Sequence, residues 1–337
     1  MPPPKPVLIT GGAGYVGRHA VRAFRDAGYR VVVLDNLSTG CREAVPGGTA
    51  FLQGDAGDSG LVARALAEHR VAAVVHCAAS ASVPDSMRDP LQYYRNNSVA
   101  STNLIRACID GGVRRLVFTS TASVYGTPRI VPIPEDAPTC PINPYGRSKR
   151  ITEWMLRDVA ECHDFRYVAL RCFNVAGAGP RDRAGRGGPG SGHLIEVACE
   201  VALGLRGHVT LFGTDYDTAD GTCVRDYVHV SDLAEAHVAA LRGLEAGDAG
   251  GVFNCGYGRG FSVREVLEAV QQESRARIDI RDGPRRAGDP PVLIAEASRI
   301  RQRLRWSPRF DDLGTIIRTV LASRAGRPSR VPGAGTS

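Results

Sequence analysis

Thr10-Gly11-Gly12-Ala13-Gly14-Tyr15-Val16-Gly17 decides the fold of this 337-residue chain. It follows a β-branched run at 6–10 and opens a helical pattern at 15–27, so the Gly11-x-x-Gly14-x-x-Gly17 spacing joins a strand to a helix. That context separates a dinucleotide turn from a chance cluster of glycines. Glycine lets backbone approach a pyrophosphate, and the helix N-terminus turns amide hydrogens toward it. Asp35 follows a second run at 30–34 and is set to accept from adenosine ribose hydroxyls. A carboxylate there repels a 2′-phosphate, which favours NAD over NADP.

Outward from this turn the pattern repeats. Further β-branched or apolar runs occur at 50–53, 72–76, 115–120 and 167–171, separated by helical patterns at 60–69, 97–110 and 145–163. Continuous apolar strands alternating with helices predict a Rossmann-type, doubly wound α/β fold whose parallel strands are buried on both faces. After Asn174 the texture changes. The segment 176–192 is rich in Gly and Arg and is either a flexible loop or a lid over a charged ligand. A helix at 193–204, a strand at 210–212, an acidic loop at 214–221 and a helix at 230–244 follow. The expected division is a cofactor-binding domain over 1–174 with returning segments around 224–260, a smaller substrate lobe mainly over 175–322, and a disordered tail at 323–337.

Composition narrows the class. Hydrophobic residues make up 43% and charged residues 23%, ordinary for a globular chain, and no apolar run reaches membrane-spanning length. Residues 1–6 lead straight into the first strand, without a charged and then apolar leader. Nine cysteines with no Cys-x-x-Cys pair argue against a disulfide framework or a zinc site, and make a cytoplasmic setting the default. The net charge of +7 comes without a basic stripe or a nucleic-acid-binding motif, so a few arginines aimed at an anionic small molecule account for it better than nucleic acid does.

Only two residues are lysine, and Lys149 lies four after Tyr145 in Asn143-Pro144-Tyr145-Gly146-Arg147-Ser148-Lys149. On a helix these two share a face. A tyrosine's ordinary pKa near 10 is too high for a base at neutral pH, and a nearby ammonium lowers it. The hydroxyls of Thr119-Ser120-Thr121 end the fifth strand, where open α/β sheets bind ligands, and complete a set able to move a proton from an alcohol. His76 reads as a satisfied core histidine, whereas Cys77-Ala78-Ala79 offers small residues against which a dinucleotide could lie. Asp55 serves either the adenine amino group or a helix cap or turn, and Asn96-Asn97 opens a helix, either as caps or in contact with the cofactor or a catalytic-site water.

These motifs carry a resemblance over about residues 6–322. TGGAGYVG, LDNLSTG, STASVYG, PYGRSK, LRCFNVAGA, DGTCVRDYVHVSDLA and NCGYGRGFSV resemble the extended short-chain dehydrogenases/reductases, within them the NAD-dependent epimerase/dehydratase family and its UDP-glucose 4-epimerases. The resemblance implies an isomerase that interconverts UDP-glucose and UDP-galactose. In it Tyr145 is the base, Lys149 tunes it and binds the nicotinamide ribose, and Thr121 is the catalytic hydroxyl with Ser120 as the fallback. It implies cofactor contacts at Gly11, Gly14, Tyr15, Val16, Gly17, Asp35, Asn36, Thr39, Gly40, Asp55, Ala56, Cys77, Ala78, Ala79, Asn97, Ser120 and Phe173. The implied UDP-sugar contacts are Asn174, His193, Leu194, Phe212, Arg225, Tyr227, Arg286, Asp289 and Leu293, with no metal. Two arginines suit a diphosphate because each guanidinium binds it bidentately. A homodimer through the helices near 97–110 and 145–163 is implied as well.

The related dehydratases need an acid and a base carboxylate directly after the catalytic Thr. Here that slot is Ala122-Ser123, which selects epimerisation. Other 4-epimerases, for N-acetylhexosamines, pentoses or uronates, remain the main alternative. Leu293, intermediate between a bulky and a small gate, bears on that choice, and Cys77 and Cys172 stand where aromatics are common beside the nicotinamide.

Overall fold

Every second residue of the first strand faces one side, and in this chain both sides are covered. In β1 (Pro6–Thr10), Val7 and Ile9 enter one buried cluster and Leu8 enters the other. β2 (Arg30–Asp35) divides likewise, with Val31 and Val33 on one face and Val32 and Leu34 on the opposite one. A strand buried on both faces must be apolar along its whole length, which is why the strands read as continuous apolar runs. The computed structural model describes residues 6–179 and 193–325.

In chain order the first half contains β1, α1 (Tyr15–Asp26), β2, β3 (Ala50–Gln53), α2 (Ser59–Glu68), β4 (Ala73–His76), α3 (Val83–Arg88), α4 (Pro90–Tyr93) and α5 (Ala100–Asp110). It continues with β5 (Arg115–Thr121), α6 (Pro144–Cys162), β6 (Arg166–Cys172) and β7 (Asn174–Ala176). The second half adds α7 (Leu194–Ala202), β8 (Val209–Phe212), β9 (Val224–His229), α8 (Val230–Glu245), β10 (Gly251–Cys255), β11 (Gly260–Ser262) and α9 (Val263–Ser274). β12 (Ile280–Gly283), β13 (Val292–Leu293), α10 (Ser298–Arg303) and α11 (Leu313–Arg324) follow.

The main sheet has seven strands in the order β10-β6-β5-β4-β1-β2-β3, all parallel. Strand order reverses between β1 and β4. At such a switch point neighbouring connections leave to opposite faces and open a crevice beyond the carboxyl ends of the strands. The remaining strands form two small sheets: β11-β9-β13 with β7 also on β9, and β12 with β8. Under them lies a third core, including Ile195, Ala198, Leu267, Ile316 and Ile317 of α7, α9 and α11. No described helix is long and apolar enough to cross a membrane.

Two expectations need correction. The asparagines at 96–97 do not open a helix. Helical structure starts at Pro90, capped by the Asp89 carboxylate, and passes through a π-helical stretch at Tyr94–Val99 into α5. The tail does not begin at 323. α11 runs to Arg324, whose buried guanidinium pairs with Glu196 and Glu200 of α7. Neither pairing was visible locally, because the partners lie more than a hundred residues away. Most of the Gly/Arg segment, 180–192, and the rest of the tail, 326–337, lie outside the described residues.

Candidate active site

The glycine turn is tight for physical reasons that the structure displays. Gly11 has φ +69°, and a Cβ there would meet the Ala78 backbone N at 2.6 Å. A Cβ on Gly17 would run into the Gly11 carbonyl, so α1 packs directly on the turn. α1 starts from Gly14 without a side-chain cap. First-turn amides of a helix have no partner inside it, so a turn this close to backbone leaves them for an anion. Tyr15 donates to the Gly177 carbonyl at 2.7 Å, and Val16 packs on the core beneath.

Asp35 is buried, with Oδ2 accepting from Ala13 N at 2.9 Å and Oδ1 from Leu37 N at 2.8 Å. Each oxygen keeps a second lone pair, so the carboxylate can both hold the turn and accept from a ribose. The loop carrying Asn36, Thr39 and Gly40 lies on the turn, with Cys41 N donating to Ala13 O and a Gly40 Cβ meeting Ala13 at 2.8 Å. Asp55 is not the cap of α2 but holds the turn before it. Asp58 caps α2, while Asp55 accepts from Gly57 N and from the Asn36 amide beside buried Ala56. A carboxylate at 35, a bare glycine cradle and small residues at 77–79 fit a dinucleotide whose ribose carries no 2′-phosphate.

Across the switch point, His76 bonds Thr10 Oγ1 at 2.7 Å and Ser101 Oγ at 2.9 Å. Burial, with Lys149 nearby, drops its pKa to about 3, so it is a neutral structural histidine. Cys77 is half-buried, 3.3 Å from Thr119 Oγ1, and burial pushes its thiol up to about 11. Asn97 accepts from Ser80 N and donates to Ser80 O and Ser148 Oγ. Its side-chain amide therefore ties the crevice wall to α6.

α6 begins where Asn143 accepts from Gly146 N and Pro144 presets the first turn. The same Asn143 donates to Gly288 O, fastening the 286–289 loop to the catalytic helix. Tyr145 is half-buried, with Tyr93 edge-on at 6.4 Å between ring centroids. Burial raises its phenol to about 12, and the hydrogen bond with the Thr121 hydroxyl acts in the opposite direction. Lys149 is 3% exposed; its Nζ donates to Thr119 O at 2.8 Å and lies 4.6 Å from the Phe118 ring centroid. Burial lowers its pKa to about 8. Ser120, the fallback hydroxyl, is turned away: its Oγ donates to Glu153 Oε1 at 2.6 Å inside the protein. Ser120 shares the β5 face of Leu116 and Phe118 that packs on the body of α6, whereas Thr121 ends the strand, near the first turn of α6 that carries the phenol.

The other candidates fall in four places. Arg225 on β9 approaches Asp289 at 3.8 Å, and its register partner on β13 is buried Leu293. The Arg286 guanidinium stacks over Phe212 at 3.8 Å from the ring centroid. Buried Phe173 and then Asn174 follow β6, with Asn174 opposite Tyr227 in the β7–β9 register. His193 stands at the N-cap of α7 and Leu194 opens the helix. Sequence reasoning missed Ser80, Tyr93 and the Arg285–Asp215 pair that pins the acidic loop, none of which has a local signal. Glu153 did have one, being four residues past Lys149 on the stripe that starts at Tyr145.

The NAD dependent epimerase/dehydratase family matches residues 7–256. The UDP-glucose 4-epimerase of Azospirillum brasilense is 52% identical over 316 residues, covering 94% of this chain and 91% of that one. A UDP-glucose 4-epimerase from Brucella ovis, solved in complex with NAD, superposes with a TM-score of 0.90 at 40% identity, over 94% of this chain and 98% of the other. The enzyme from Bifidobacterium longum, in complex with NAD+ and UDP, gives 0.90 at 34% identity, over 95% and 98% of the two chains. Similarity this extensive in both sequence and backbone means that the chain belongs to the NAD dependent epimerase/dehydratase family.

Proposed function

We propose that this protein is an NAD-dependent isomerase that interconverts UDP-glucose and UDP-galactose by oxidising and re-reducing the sugar at carbon 4. The observation that carries the reading is that α6 brings Tyr145 and buried Lys149, held on Thr119 O, to the end of β5 where Thr121 lies, with Ala122-Ser123 supplying no carboxylate beside them. A phenol and a hydroxyl suffice to move the 4-hydroxyl proton, whereas elimination of water would need a further acid and base. NAD, when bound, accepts a hydride from carbon 4 and returns it, so it ends as it began.

The chain's residues divide the remaining work. Gly11, Gly14, Gly17 and Asp35 hold the dinucleotide. Tyr145 takes the proton through Thr121, and Lys149, held on the Thr119 carbonyl, contributes positive charge at the nicotinamide end. Arg225 and Arg286 take the diphosphate, Phe212 the base and Asp289 the uridine ribose. Holding the UDP handle firmly and the sugar loosely lets the keto sugar present its other face, and binding energy then lies away from the reacting centre. On this reading the sheet with α1–α6 is the cofactor domain and the small sheets with α7, α9 and α11 form the UDP-sugar lobe.

Leu293 supports a second substrate class. It is shorter than an aromatic gate, so N-acetylated UDP-sugars remain candidates. Leu91, Val99 and Trp154, 76%, 53% and 45% exposed, lie on α4, the π-helical stretch and α6, a surface suited to a homodimer. Nine unpaired thiols suit a cytoplasmic setting.

The test is turnover of UDP-galactose by the purified protein without added NAD, beside Tyr145→Phe. The variant should lose on the order of 10³-fold in kcat, within the range for a removed acid–base group. Full activity in the variant would overturn the assignment.

A further inference from the structure

α6 addresses three consecutive residues of β5. Lys149 Nζ donates to Thr119 O, Glu153 accepts from Ser120 Oγ, and Tyr145 meets Thr121. Lys149 and Glu153 are themselves buried, and Tyr145 is half-buried. We propose that Glu153 and Arg171 are positioning residues that hold α6 in register against β5, and so set the Tyr145–Thr121 geometry. The inference rests on the proposed roles of Tyr145 and Thr121.

Four donors converge on the Glu153 carboxylate, which is 1% exposed. They are Ser120 Oγ at 2.6 Å, Arg171 Nε at 3.0 Å and Nη2 at 2.7 Å, and Arg150 Nη1 at 2.8 Å. Arg171, 2% exposed, is the register partner of Ser120 across β5 and β6, so the carboxylate spans both strands. Arg171 Nη1 also donates to Tyr125 Oη at 2.8 Å and to Glu135 O at 3.0 Å, and Tyr125 donates to Asn254 Oδ1 at 2.6 Å. The network thus ties α6 to β5, β6 and β10.

A buried ion pair is a poor net stabiliser, since apolar residues of equal volume do as well; its best-attested use is to fix register. Apolar packing tolerates a helix that slides or rolls by a fraction of an ångström, because it has no direction. A bidentate guanidinium and a hydroxyl meeting one carboxylate do not tolerate it. Proton transfer is sensitive on that same scale: a 1 Å displacement costs about 10²-fold in rate.

The test uses the full chain with its NAD, beginning with Ser120→Ala, which removes one donor and no charge. With UDP-galactose, kcat should fall about 10-fold with KM unchanged, and Ser120→Thr should restore most of it. The double variant Glu153→Gln/Arg171→Met, which removes the two fully buried charges and leaves Arg150, whose side chain is 19% exposed, should fold and show a larger fall in kcat. Wild-type kcat in Ser120→Ala overturns the proposal. A loss of 10³-fold or more also overturns it, because Ser120 would then be the reacting hydroxyl. Titration of the Tyr145 phenol by difference absorbance against Tyr145→Phe needs no turnover. An upward shift in Ser120→Ala supports positioning and an unchanged curve sinks it. Absence of activity in the wild type would instead count against the substrate assignment, and the titration would still decide the register.

Discussion

The parallel sheet and the smaller lobe of short strands are built by different means. In the sheet, strands adjacent in sequence are often adjacent in space, and the sites lie at strand ends and first helical turns. In the lobe, β13 joins β9 across more than sixty residues and β12 joins β8 likewise, so Phe212, Arg225 and Leu293 are each delivered by a long-range pairing. The cofactor presents a constant shape, and a regular frame with glycine and a carboxylate at set points is enough to hold it. On the proposed reading, the nucleotide sugar meets one arginine on a short strand, Arg225, and one on a loop, Arg286, where small changes in pairing redirect a side chain.

The comparison can be tested first through the clamp. Arg225 is 7% exposed and poised between Asp289 and the carbonyls of Val224 and Pro291. Arg225→Ala should raise KM for UDP-galactose by roughly 10–100-fold, the equivalent of one or two charge-assisted hydrogen bonds, with a smaller change in kcat. Unchanged KM in steady-state assays would remove Arg225 from the clamp.

Acid should act with opposite sign on the buried histidines packed at the sheet and on the buried Asp226 of β9. In the sheet half, burial lowers His76 to about 3 and His237 to about 4. The unfolded chain binds those protons near pH 6.5, so their contribution is complete above that pH and is lost as pH falls toward 4. In the lobe, Asp226 is fully buried on three backbone N–H groups, from Tyr257, Gly258 and Ala295. Burial outweighs those bonds and raises its carboxyl to about 6. The folded state therefore takes this proton first, and stability from Asp226 grows as pH falls from 6 toward 4. For these three groups alone, two losses against one gain make a slope of about 1.4 kcal/mol per pH unit in that window. Denaturant unfolding at successive pH values should show it, steeper in Asp226→Asn and flatter in His237→Gln.

The smallest effect is expected at the pocket wall. Leu293→Ala should favour UDP-N-acetylglucosamine over UDP-glucose in relative kcat/KM on the order of 10-fold, the usual worth of a methylene or two in a pocket. An unchanged ratio would place the sugar's N-acetyl group elsewhere.

The asymmetry between the halves also governed how far the residues could be read. The strand and helix limits in the first half are within a residue or two of expectation, except where Asn96 and Asn97 turned inward within a π-helical run to hold Ser80 and Ser148. Nothing local distinguishes an asparagine that caps from one that bridges. Likewise Thr119, Ser120 and Thr121 are three hydroxyls in a row, and only the partner on α6 decides which meets the phenol.

By itself, the order of residues determined the alternation of buried strands and helices, the glycine turn with its carboxylate at 35, and the shared face of Tyr145 and Lys149, because each follows from local periodicity and sterics. Tertiary structure alone decided that Ser120 belongs to Glu153, that the Lys149 ammonium rests on a strand carbonyl, and that Arg225, Asp289 and Leu293 converge. Those contacts join residues tens of positions apart, and their energy appears only when the chain is closed and water is excluded.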